Sequence, residues 1–473
     1  MPLFFCNIIP FLGQTDFSTP LIIVFLICLL AVVGFEFVNG FHDTANAVAT
    51  VIYTKALKPV IAIPWSGFWN FMGVFTGGIA VAMGILKLVP LDALMNLPIG
   101  VGACLVLAVL LASIAWNLGT WYLGIPCSSS HTMIGAMIGA GLAFSWYYGG
   151  SGVNWGKAEE IGLSLILSPI IGFGLAVLLM YFIKHVIKYH ALFHIPTGEN
   201  DRPPLLIRGL LITTCTLVSF FHGSNDGQKG VGLMMLILIA FVPAKFALNH
   251  SIKNEKILLD LNQTEQVFRS LAQTNSSKQE DFTLLIDKIR KAKIHLNLKS
   301  ETDKKHTYEF RKQIEGLVAS IKEVRSSKDL KLDKYNDEIL MSSQKELSNV
   351  VDFAPIWVIL TISIALGLGT MIGWKRIVVT IGEKIGNEHL NYAQGVTSEI
   401  VAASTIGLST AFGLPVSTTH VLSSGIAGAM VASGGKENLN NNTLKNIGLA
   451  WVLTLPVSIT LAILLFMLFH LFI

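Results

Sequence analysis

Residues 21–38, 99–116, 161–183, 205–221, 231–242, 356–372 and 447–473 are apolar runs with few charges. Most approach or exceed the ~20 residues that a helix needs to cross hydrocarbon. Runs of that length restrict the chain to folding in a bilayer, since an aqueous domain would have to hide every one of them. Composition agrees: charged residues make up 14% of the chain, where a soluble domain carries about a quarter, and the mean hydropathy is +0.61. Weaker, glycine-rich stretches at residues 61–89, 119–144 and 401–432 read as helices packed inside a bundle, or as broken ones. The expectation is an all-α polytopic membrane protein with about ten to twelve crossings.

Several classes are disfavoured. The first twenty residues hold no Lys or Arg and no small-residue cleavage site, so the first span is expected to stay. The five cysteines, Cys6, Cys28, Cys104, Cys127 and Cys215, lie singly, without the spacing of a disulfide framework or a zinc site. A net charge of +4 gives no reason to expect nucleic acid.

One segment breaks the apolar pattern. Residues 247–352 are rich in Lys, Glu, Asp, Gln and Ser, with apolar residues at helical spacing in DFTLLIDKIRKAKIHL and YEFRKQIEGLVASIKEV. This predicts a hydrophilic helical insertion between membrane segments 1–246 and 353–473. Lys184, Lys188, Arg202 and Arg208 form a second basic loop two apparent spans upstream, which puts both on the cytoplasmic side by the positive-inside rule. Lys375 and Arg376 do not fit that scheme.

An internal repeat orders the rest. GIPCSSSH at residues 124–131 matches GLPVSTTH at 413–420, and GFHDTANAVA at 40–49 loosely matches GSNDGQKGVG at 223–232. Asp43 precedes His131 by 88 positions and Asp226 precedes His420 by 194; the excess of 106 is the length of the polar insertion. The chain therefore reads as a duplicated membrane unit with a hydrophilic block in its second copy.

The duplicated strings carry the chemistry. Pro126 and Pro415 cannot continue an incoming helix, and the Ser and Thr residues after them suit the start of an outgoing one. Each break should aim free backbone N–H groups, the positive end of a helix dipole and several hydroxyls at one place. Ser128, Ser129, Ser130, Thr132, Ser417, Thr418 and Thr419 are thus candidate ligands of a tetrahedral oxyanion. Asp43, Asn46, Asn225 and Asp226 sit at or inside apolar segments, where an ionised carboxylate costs at least ~2.5 kcal/mol and is functional by default. A carboxylate beside an oxyanion repels it unless a cation or proton lies between them, so the pairing implies cotransport. His42 and Lys229 stand next to these acids, and Lys229 falls three residues after Asp226, on the same face of a helix. His131 and His420 read as braces for the half-helices, while Glu36 and Glu399 are further intramembrane acids without an assigned role.

With these strings, together with HGSNDGQKG at 222–230 and GWKRIVVTIGEKIG at 373–386, the chain resembles the inorganic phosphate transporter (Pit) family, most closely its bacterial low-affinity members. The resemblance implies phosphate uptake by symport, two inverted repeats with hydroxyl-bearing hairpin tips, a homodimer and an inner-membrane location. It also implies no enzymatic activity and no permanently bound cofactor. Sodium-coupled relatives carry an NDxANA-like string in both halves. Here His42 and Lys229 replace two of its neutral ligands, which favours H+ over Na+ as the coupling ion. A divalent metal travelling with phosphate would meet Asp43 and Asp226. The alternatives are a sodium-coupled phosphate symporter, a sulfate permease, a passive channel, or a membrane hydrolase using a Ser with His131 or His420.

Overall fold

The structure is a computed structural model that describes residues 17–89, 98–198, 201–275, 278–298, 304–327, 329–330 and 332–472. Cys6 lies outside them. Among the described residues there are helices, one isolated bridge between Gly386 and Leu439, and no strand. The chain divides into two compact units, Met1–Ile237 with Pro355–Ile473, and Leu238–Ala354.

In the first unit the helices are α1 (Thr19–Asp43), α2 (Ala45–Tyr53), α3 (Pro59–Thr76), α4 (Ala80–Leu86), α5 (Ile99–Leu123), α6 (Ser129–Tyr148), α7 (Trp155–Val186) and α8 (Leu205–Phe241). Among the described residues, five helical segments are long and apolar enough to span a membrane, or seven if each bent pair is one span. The sequence expectation of ten to twelve counted blocks that the fold joins or shortens. Residues 205–221 and 231–242 are one helix, α8, because the polar string between them bonds within the bundle and never leaves the helix. Residues 61–89 form α3 and α4, bent by 71° at a short break.

The glycine-proline strings are helix breaks. α5 ends at Leu123, and Gly124 takes φ +69° to close it. Only glycine enters that left-handed region at no steric cost. α6 starts after Ser128, whose Oγ accepts the His131 N–H at 3.2 Å. After the insertion the pattern recurs: α13 (Ile356–Thr370) is followed by α14 (Tyr392–Ala411), Gly413 at φ +69°, and α15 (Thr418–Gly434), capped by the Ser417 Oγ. A last long helix, α16 (Asn441–His470), completes the unit.

Packing crosses between the halves. α6 lies against α16, the long helix that follows the second break, and α15 lies against α7, the long helix that follows the first. Both approaches are close. A Cβ on Gly139 of α6 would collide with the Ile459 carbonyl oxygen, and one on Gly428 of α15 with that of Phe173. The two break regions are thereby clamped by each other's scaffold.

The second unit contains α9 (Asn254–Thr274), α10 (Gln279–Leu298), α11 (Lys304–Ser326) and α12 (Lys334–Val351). Each packs on the next, and α12 returns to α9. Their apolar stripes meet in a core of its own around Leu261, Phe268, Ile289, Phe310, Leu317 and Leu347. Arg311 is buried, and its Nη1 donates to the carbonyl oxygens of Ala247 at 2.7 Å and Val351 at 2.9 Å.

Candidate functional site

Two acids from different parts of the chain meet between the breaks. The Ser129 hydroxyl, at the first turn of α6, lies 2.9 Å from Asp43 Oδ2 and 3.3 Å from Asp226 Oδ2. From the other break, the Thr419 hydroxyl donates to Asp43 Oδ1 at 2.9 Å. Asn46 Nδ2 reaches Thr418 Oγ1 at 3.3 Å and Thr419 Oγ1 at 3.0 Å. All of these side chains are at most 2% exposed. Ser129, Thr418, Thr419, Asp43, Asn46 and Asp226 therefore share one buried place, contributed by α1, α2, α6, α8 and α15.

Lys229 belongs to it as well. One helical turn beyond Asp226, its Nζ lies 2.7 Å from Asp226 Oδ2 and donates to Ser129 Oγ at 3.2 Å. His42 bridges outward, with Nδ1 at 2.9 Å from Asp43 Oδ1 and Nε2 at 3.2 Å from the Thr120 hydroxyl of α5.

The remaining candidates serve the breaks themselves. Ser128 and Ser417 cap α6 and α15 through their hydroxyl oxygens. Ser130 donates to the Val416 carbonyl oxygen of the opposite break at 2.7 Å, and Thr132 donates back to Ser128 O. Asn225 turns away from the acids: its Nδ2 donates to Thr410 Oγ1 and Leu414 O, and its Oδ1 accepts the Val416 N–H at 3.2 Å, so it holds the second break in shape. The rings of His131 and His420 pack together at 4.6 Å, and His420 stacks on Trp451 at 3.9 Å.

His222 is a site residue that sequence reasoning missed. It lies one turn before Asp226 on α8, a spacing that could have drawn notice. Its Nδ1 lies 2.7 Å from Asn70 Oδ1, an acceptor, so Nδ1 carries a proton. Nε2 is left facing Asp226 at 3.5 Å and Asp43 at 3.9 Å. Asp43, His222 and Asp226 each offer an atom within 4.8 Å of the others, a set able to hold a metal ion. A ring fixed through Nδ1 with Nε2 presented is the usual preparation of a metal-binding histidine.

Helix breaks meeting at a buried polar site inside a membrane bundle define the class of membrane carriers. The pattern of the phosphate transporter family matches residues 39–462. The chain belongs to that family. It is 41% identical to a low-affinity inorganic phosphate transporter of Buchnera aphidicola subsp. Acyrthosiphon pisum, over 93% of this chain and 95% of the relative. It is 38% identical to the low-affinity inorganic phosphate transporter PitB of Escherichia coli strain K12, again over 93% and 95%. Among solved structures, one described as the sodium-dependent phosphate transporter matches with a TM-score of 0.61 at 20% identity, over 95% of this chain and all of that one. That likeness concerns the fold. The family is one of integral membrane transporters, which leaves the hydrolase alternative without support.

Proposed function

We propose that the protein takes up inorganic phosphate by proton symport, binding the anion between the two helix breaks. The observation that carries the reading is the convergence of Ser129 and Thr419, one hydroxyl from each break, on the same Asp43 carboxylate. The first turns of α6 and α15 would add backbone donors to those hydroxyls, and Lys229 a positive charge.

Lys229 also favours H+ over Na+. Its ammonium group stands 2.7 Å from Asp226, where a bound sodium ion would face a fixed charge of the same sign. The three-residue group of Asp43, His222 and Asp226 would take a divalent metal travelling with phosphate only with Lys229 turned away from Asp226, since the same like-charge repulsion applies to it. Inverted repeats moving about their interface would give alternating access, and the reciprocal packing of α6 on α16 and α15 on α7 supports that reading.

The test is labelled phosphate uptake into proteoliposomes under an imposed pH gradient or an imposed sodium gradient. Accumulation driven by the pH gradient and raised by Mg2+ is expected; stimulation by sodium alone overturns the coupling assignment. Asp43→Asn and Thr419→Val should each lower uptake at least tenfold.

A further inference from the structure

Glu36 is a fully buried acid of α1 that the site described above does not use. It stands seven residues before Asp43, two turns back on the same face, about 10 Å along the helix at 1.5 Å per residue. Asn39 lies between them, so Glu36, Asn39 and Asp43 form a polar stripe on a helix whose other residues, Thr19 and His42 aside, are apolar. Within the stripe, Asn39 Nδ2 donates to Glu36 Oε1 at 3.1 Å. Glu36 Oε2 and Asn39 Oδ1 are both buried without a hydrogen-bond partner.

Two orphaned acceptors side by side in hydrocarbon lack a donor or a cation. A proton on Glu36 removes the buried charge and turns one acceptor into a donor. The neighbours leave that proton free to come and go. On α8, Gly230 lies against the Glu36 carboxyl, so near that a Cβ there would sit 2.5 Å from Oε2, and the residue before it is Lys229. The charged and titratable groups of α8 near Glu36 are Lys229, Asp226 and His222. α13, which packs on α1, has no ionisable side chain, and α5 brings only Cys104 and Tyr122.

Resting on the proton-symport reading, we propose that Glu36 carries the coupling proton. With Lys229 turned into the site, on Asp226 and Ser129, Glu36 has no counter-ion and holds its proton. When phosphate leaves, the carboxylic acid gives its proton to water and remains as a carboxylate whose Oε1 keeps the Asn39 amide. One proton crosses per turnover of this group.

The test uses the full chain in proteoliposomes and compares two activities: phosphate accumulation driven by a pH gradient, and exchange of internal for external phosphate without a gradient. Glu36→Gln, neutral at every pH, should lower gradient-driven accumulation at least tenfold while exchange falls less than threefold. Glu36→Asp should restore part of the gradient-driven uptake, with a shifted pH profile. Gradient-driven uptake by Glu36→Gln at the wild-type level overturns the proposal, and so does equal loss of both activities, which would make Glu36 a structural or substrate-binding group. Wild-type protein indifferent to the pH gradient would instead defeat the symport reading itself, a failure visible without any variant.

Discussion

Lys229 and Asp226 are both fully buried, and each depends on the other for its charge to be tolerated. Removing one member of a buried pair costs about 3–5 kcal/mol, since the other is left uncompensated. Lys229→Met should therefore destabilise the protein by roughly that amount, and the double variant Lys229→Met/Asp226→Asn should recover much of the loss. Thermal unfolding in detergent measures both, and an additive double variant would show that the pair is not coupled. At this scale the acids were legible because a carboxylate inside an apolar run is costly and stands out, and Lys229 followed from its helical spacing. His222 was not, because its meaning lies in Asn70 of α3, 152 positions away, which fixes the ring and aims Nε2 at the acids. Nor did spacing reveal that Asn225 serves the second break, since the groups it holds, Leu414 and Val416, belong to a distant part of the chain.

At the scale of elements, the two breaks repeat in detail: a glycine at φ +69°, an extended stretch containing proline, and a serine cap that accepts the N–H of a histidine three residues on. Ser128→Ala and Ser417→Ala should each cost about 1 kcal/mol as lost helix caps. Because the caps orient the first turns that present Ser129 and Thr419, each should also raise the KM for phosphate uptake. A stability loss with an unchanged KM would separate the cap from the site. Proline, glycine and hydroxyl residues announce such breaks locally, which is why they could be read from the chain. The span count could not, for a related reason: polar residues in 222–230 interrupt the apolar run but not the helix, since Asn70, Thr410 and Ser129 of other helices pair with His222, Asn225 and Lys229.

At the scale of the whole molecule, Leu238–Ala354 has a hydrophobic core separate from that of the membrane unit. Expressed alone, residues 247–352 of this unit should be soluble, helical by circular dichroism and cooperative in thermal unfolding; a disordered spectrum would show that they need the rest of the chain. Acid should weaken it. The Arg325 guanidinium, hydrogen-bonded at 2.8 Å, holds the Asp337 carboxyl below its ordinary value. That stabilisation is fully present above the unfolded value of about 3.9 and is lost as pH falls through the lower folded value.

The Arg311 side chain has a further consequence. By binding Ala247 and Val351 together, it brings the chain's way into the bundle and its way out within reach of one guanidinium. A block whose two ends meet can be exchanged as a cassette: any small stable protein with adjacent termini, a fluorescent reporter for instance, should fit in its place. Phosphate uptake by such a chimera would then reveal whether evolution kept the bundle as cargo or as a control.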